Sequence, residues 1–198
     1  MERPKTDAGK VHLIEIHFKE IMKILGVEED ECTEGTPLRV AKMLVNEVCR
    51  NADTKTLVQL KTRMKCFPNE TQPHGNVVMV RKIAFTSWCS HHFLPFGGYM
   101  NIGYVPDALL LGLSKFPRVV KHFSKKPQMQ EYLVADVCDF IYDTVRAGYV
   151  VVSAVATHAC VACRGVENPC EAVTYFERRR GETSYLGTFR DMGGFSFG

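Results

Sequence analysis

The stretch YVVVSAVATHAC, residues 149–160, constrains the fold more than any other part of this chain. A nearly continuous apolar run reads as a buried strand, covered on both faces. Such a strand needs layers above and below it. It also ends in a histidine and a cysteine, so reactive side chains stand where the strand stops.

The flanking pattern supplies the layers. Val11, Ile14, Phe18, Ile21, Met22 and Leu25 recur at helical spacing, which predicts an amphipathic helix over 11–25. A second helix is expected from Thr36, which can cap it. Pro37 suits its first position, and Val40, Met43, Leu44 and Val48 form one stripe. Residues 51–75 are polar and irregular, with one short strand expected near Leu57 to Met64. Then NVVMVRKIAFTSW and YMNIGYVP read as strands, the second stopping at Pro106. Helical patterning returns over 114–126 and 128–145, where Met129, Leu133, Val137, Phe140, Ile141 and Val145 make a stripe. EAVTYFERRRGETSYLGTF reads as a hairpin turning near Gly181. The order is two helices, strands, a helix pair, strands, which is an α+β chain. It divides into an N-terminal helical region, 1–75, and a sheet domain, 76–198, which carries the reactive residues.

Composition narrows the function classes. With 198 residues and 45% hydrophobic content the chain can bury a real core. Its net charge of +3 gives no strong push toward nucleic acid. No apolar run approaches the ~18 residues of a membrane helix, and MERPKTDAGK lacks the apolar core of a signal peptide. The eight cysteines are spread along the chain, unlike a small secreted scaffold, which favours a reduced, cytoplasmic setting.

Those cysteines matter most where histidines join them. SWCSHHFLPFGG holds Cys89, His91 and His92. Cys89 and His92 are three apart, so both can point into one turn. THACVACRG offers a second supplier: His158 and Cys160 are two apart on a predicted strand and so share a face. A lone buried cysteine is usually a small hydrophobe, but two Cys/His clusters at strand ends suit zinc. CVAC alone could be a redox pair, but no thioredoxin-like pattern surrounds it. Three ligands (Cys89, His92, Cys160) leave a position open for water, and adding Cys163 would close it. His91 and His158, not needed as ligands, suit proton transfer near neutral pH.

A third cluster suits an anion. In LGLSKFPRVV, Ser114 can cap a helix whose first turn holds Lys115, Pro117 and Arg118. Cations are misplaced at the positive end of a helix dipole unless an anion sits among them. Taken alone, a solvated basic face explains them better. Arg164 puts another cation near the cysteines, and Arg39 on the second helix adds a further candidate. Gln130 and Glu131 open the next helix, where a carboxylate is ordinary but can also accept two N–H donors from a base edge.

Together, CSHHFLPFGGYMNIGYVPDALLLGLSKFPRVV, QMQEYL and THACVACRGV resemble GTP cyclohydrolase I, and TPLRVAKMLVNEV resembles that family's N-terminal helix. The resemblance spans about residues 10–166, far more than a short motif. It implies the tunnelling fold: an antiparallel sheet with a helix pair on one side, completed into a barrel by neighbouring subunits. It implies a homodecamer of two stacked pentamers, with sites between subunits. It implies conversion of GTP and water to formate and 7,8-dihydroneopterin triphosphate, from which folate, biopterin-type cofactors and deazapurine nucleosides all start. By the same resemblance Cys89, His92 and Cys160 bind zinc, and His91 and His158 are catalytic. Gln130 and Glu131 hold the ribose side and the guanine. Ser114, Lys115, Arg118 and Arg164 hold the triphosphate, with Arg39 joining from another subunit.

The chain departs from the family in places. Ser90 stands where the family has Glu, Pro117 where it has a small apolar residue, and Cys163 adds a thiol. The segment 167–182 is longer, and MGGFSFG ends the chain without the family's final short helix. These departures leave two other readings: a related purine-triphosphate cyclohydrolase with altered substrate or an early stop, or a non-catalytic zinc- or GTP-binding regulator.

Overall fold

The computed structural model describes residue 4 and residues 6–52, 55–71 and 76–193. The chain divides into two compact units, 1–52 and 53–198. The described residues 55–71, grouped above with the helical region, fall in the second unit.

The first unit is helical. Helix α1 spans Asp7–Ile24 and is capped by Thr6, whose side chain accepts from the Gly9 amide at 3.1 Å. Helix α2 spans Thr36–Met43 and continues as a π-helical turn, Leu44–Val48. Thr36 is not its cap. Gly35 holds that position at φ 71, a left-handed conformation that glycine adopts without strain. The Thr36 hydroxyl accepts from Arg39 instead, at 2.9 Å.

The second unit opens with α3, Lys55–Thr62, a helix where a strand was expected over Leu57 to Met64. The short strands β1 (Cys66–Pro68) and β4 (Leu109–Leu111) pair with each other. The main sheet contains β2 (Val78–Cys89), β3 (Pro95–Val105), β5 (Pro127–Gln128), β6 (Tyr149–His158) and β7 (Glu171–Arg179), in the order β5-β2-β3-β6-β7. Its four long strands are antiparallel, and the two-residue β5 runs parallel to the end of β2.

Strand β6 is the centre predicted for residues 149–160: Tyr149 through Ala154 are all buried. On one face it meets α5 (Gln130–Val145), whose Leu133, Val134, Val137, Cys138 and Ile141 join Val150, Val152 and Ala154 in the core. Each fully buried aliphatic side chain contributes about 1.5–3 kcal/mol. Burial pushes the Cys138 thiol up to about 12, so this cysteine is an inert core residue. Helix α4 (Lys115–Phe123) buries Phe116, Val119 and Val120 in the same core.

On the opposite face, Phe189 of α7 (Leu186–Asp191) stacks on Tyr149 with ring centroids 5.6 Å apart. Gly103 makes this possible, because a Cβ there would lie 2.3 Å from the Phe189 ring. The hairpin expected around Gly181 therefore has one strand only. After β7 the chain turns, with Gly181 at φ 79, and returns as α7. Further along this face Tyr99, Val173 and Tyr175 stand exposed. Among the described residues, no helix is long and apolar enough to cross a membrane.

Candidate metal centre and its surroundings

Strands β2 and β6 finish, and β3 begins, at the same end of the sheet, where Phe96 pairs with both Ser87 and His158. The link from β2 to β3 is a tight turn. The Cys89 amide donates to the Leu94 carbonyl and the Phe93 amide to the Cys89 carbonyl, both at 2.9 Å. Closing it places Phe93 at φ 54, a left-handed conformation that costs a non-glycine residue roughly 1–2 kcal/mol. This strained turn carries both histidines.

Cys89 Sγ lies 3.7 Å from His91 Nδ1 and 3.8 Å from His92 Nδ1. Cys160 decides between them. The ligand atoms of Cys89, His92 and Cys160 all lie within 4.8 Å of one another, a group able to hold a metal ion. Zinc–sulfur and zinc–nitrogen bonds of normal length set tetrahedral ligand atoms about 3.6 Å apart, so the donors nearly match the ion. Burial, followed by the neighbouring Cys89 thiol, pushes the Cys160 thiol up. A cation between the two sulfurs would relieve that opposition.

Cys160 gets there by a different route from the one its spacing suggested. The strand ends at His158, and Cys160 sits in a four-residue helical turn, α6 (Ala159–Ala162). Cys163 caps that turn and is exposed, outside the three-residue group.

His158 is held separately. Its ring stacks on Phe96, with centroids 4.5 Å apart and planes within 1°. Its Nε2 lies 2.7 Å from Gln130 Oε1. The Gln130 amide nitrogen donates to the Ala154 and Ala172 carbonyls and the Thr174 hydroxyl at 3.0–3.2 Å. Carbonyls only accept, so the amide cannot be turned round. His158 Nε2 therefore donates to Gln130, and Nδ1 is the nitrogen left for chemistry. Burial lowers the His158 pKa, with Glu131 pulling the other way. Gln130 itself is 2% exposed, whereas Glu131 in the next position is exposed.

The anion candidates are divided: Arg164 lies close enough to Cys160 for its charge to act on that thiol, whereas Ser114, Lys115 and Arg118 open α4 and Arg39 is on α2. Ser114 takes the position before α4 but makes no side-chain cap bond. Phe116 packs on Tyr104, eight residues along β3 from Phe96. At its other end α4 reaches the metal end of the sheet, where the Phe123 carbonyl accepts from Gln128 beside Cys89, so the start of α4 stands about one helix length, ~13 Å, back from there. Arg118 and Arg164 are exposed, and none of the ion pairs among the described residues uses Lys115, Arg118 or Arg164. Arg39 lies in the first unit, bonded to Thr36 and to the Cys32 carbonyl.

Sequence reasoning missed Ser87, Phe96 and Gln128. Gln128 donates to Ser87 Oγ at 3.0 Å, a bond across 41 positions that no local pattern announces.

A sheet that brings two thiols and an imidazole to one point, beside a second imidazole held independently, is the build of an enzyme. The family model for GTP cyclohydrolase I matches residues 14–187. GTP cyclohydrolase 1 of Erwinia tasmaniensis is 35% identical over 176 residues, covering 87% of this chain and 76% of the relative. That of Pasteurella multocida is 34% identical over 159 residues, covering 78% and 69%, and that of Aeromonas hydrophila 36% over 157, covering 77% and 68%. The chain belongs to the GTP cyclohydrolase I family.

Proposed function

We propose that this chain hydrolyses GTP at guanine C8, releasing formate and rearranging the remainder to 7,8-dihydroneopterin triphosphate, with Zn2+ held by Cys89, His92 and Cys160. The observation that carries this reading is the convergence of those three donors beside two histidines that it leaves free for proton transfer. A bound zinc ion supplies a Lewis acid and an acidified water at neutral pH. The chain's own residues do the rest. His158, once it has taken a proton at Nδ1 to become the imidazolium with Nε2–H still held by Gln130, gives that Nδ1 proton to N7, which makes C8 electrophilic. His91 moves protons during ribose opening and reclosure. Glu131, exposed in the first turn of α5, accepts from the guanine edge. Gln130 is the family's residue for the ribose side. Its nearly complete burial favours contact with substrate through His158.

Ser114, Lys115, Arg118 and Arg164 are the proposed triphosphate ligands, with Arg39 joining from another subunit. The exposure of Arg118 at the start of α4 leaves it open to a neighbouring copy, which supports a site shared between copies. One copy would supply the metal end and its neighbour the start of α4. The exposed Tyr99, Val173 and Tyr175 favour a covered sheet face, in line with a tunnelling-fold barrel completed in a decamer of two pentamers. Eight free cysteines favour a reducing cytoplasm. The exposure of Cys163 weighs against a closed, purely structural four-ligand site.

Incubation of the purified protein with GTP tests the reading. Formate and a pterin that fluoresces on oxidation are expected. Bound GTP without formate would mean a regulator, and formate without pterin an early-stopping relative.

A further inference from the structure

Gln128 is 6% exposed, and its side-chain oxygen has no hydrogen-bond partner. A buried acceptor left unpaired costs ~1–3 kcal/mol. A methionine of similar length would fill the space without that cost, so packing alone does not explain an amide here.

Its nitrogen does explain it. The amide nitrogen donates to Ser87 Oγ at 3.0 Å and to the Phe123 carbonyl, at the end of α4, at 2.6 Å. In the backbone, Gln128 is the register partner of Cys89, and its carbonyl accepts from the Ser90 amide at 3.2 Å. Gln128 thus grips the chain on both sides of Cys89, through Ser87 before it and Ser90 after it, and anchors that grip to α4. The turn it grips is the one strained at Phe93. Met129 is extended, at φ −88 and ψ 151, and more exposed than either glutamine. The amides of Gln128 and Gln130 therefore reach into the protein together, one to the metal-binding turn and the other to His158.

We propose that Gln128 is a positioning residue for the metal-binding turn, holding Cys89 and His92 at the separation from Cys160 that a metal ion requires. This rests on the reading of those three residues as ligands. The amide matters because it fixes a geometry that the strained turn would otherwise relax.

The test is metal binding to the purified full-length chain. Affinities for Co2+ and Zn2+ are measured by chelator competition, with the Co2+ absorption bands and thermal unfolding followed alongside. Gln128→Met is expected to fold and to bind both ions ~10–100-fold more weakly, as loss of outer support does at metal sites, with shifted Co2+ bands. Ser87→Ala, which keeps the backbone grip and the Phe123 link, is expected to weaken binding in the same direction by less. Parent affinity and parent bands in folded Gln128→Met overturn the proposal, even if the unfolding midpoint drops. Should Gln128→Met not fold, parent affinity in Ser87→Ala overturns it. A parent chain that binds neither ion sinks the metal reading itself, whereas a metal-binding parent with an indifferent Gln128→Met sinks only the role of Gln128.

Discussion

The two ends of the β3 strand carry two kinds of polar chemistry. Where β2 and β6 finish, the groups are tied to one another: Gln128 to Ser87, Gln130 to His158, and Cys89 within 4 Å of both histidines. At the start of α4, Lys115 and Arg118 enter no ion pair among the described residues. Bond-breaking chemistry needs its groups held in advance, because misplacement costs rate. An anion brings its own charge, so cations at a helix start can wait for it in solvent. On the proposed reading, one end is held in advance by this chain's own bonds, and the other waits in solvent for the ligand's charge.

This contrast breaks most completely at the metal. Cys160→Ala is expected to lose bound zinc, measured by elemental analysis, and with it all turnover of GTP. Next come the histidines. His158→Ala and His91→Ala should both keep zinc and each lose at least ~10²-fold in rate. Rapid-quench chromatography separates them: His158→Ala releases little formate, while His91→Ala accumulates an opened pyrimidine without pterin fluorescence. The anion end gives a smaller and different effect. Arg118→Ala should keep zinc and weaken GTP binding by about 1.5–3 kcal/mol, the worth of a charge-assisted contact, and guanosine should be a far poorer substrate than GTP. Smallest of all is Cys163→Ala, expected to retain zinc at the parent level. Loss of the metal there would make the closed four-ligand site correct.

The long apolar patterns were legible because burial leaves a repeated mark. β6 and α5 show it over ten residues or more, and their extents follow from it. Helix α3 was misread because, among its described side chains, only Leu60 is buried, too few apolar positions to tell a period of 3.6 from one of 2. α7 was misread because its aromatic and threonine neighbours look β-forming, whereas the segment is a helix that buries Phe189 against Gly103. At the site, the donors Cys89, His92 and Cys160 were visible from residue type, although Cys160 arrives through a helical turn and not on the strand. The supports were not visible. Ser87 and Gln128 are ordinary polar residues until the fold sets them side by side.

On the proposed reading, one catalytic site needs the metal end of one copy and the α4 start of another. Mixing two crippled chains tests it directly. Cys160→Ala and Arg118→Ala are each purified, then unfolded and refolded together with Zn2+ so that subunits mix, and GTP turnover is measured at a concentration where each alone is nearly inactive. Shared sites predict recovery toward about a quarter of parent activity, since in a randomly mixed symmetric assembly that fraction of sites draws both ends from intact copies. Mixed assemblies with no more activity than the two variants measured apart would contradict it.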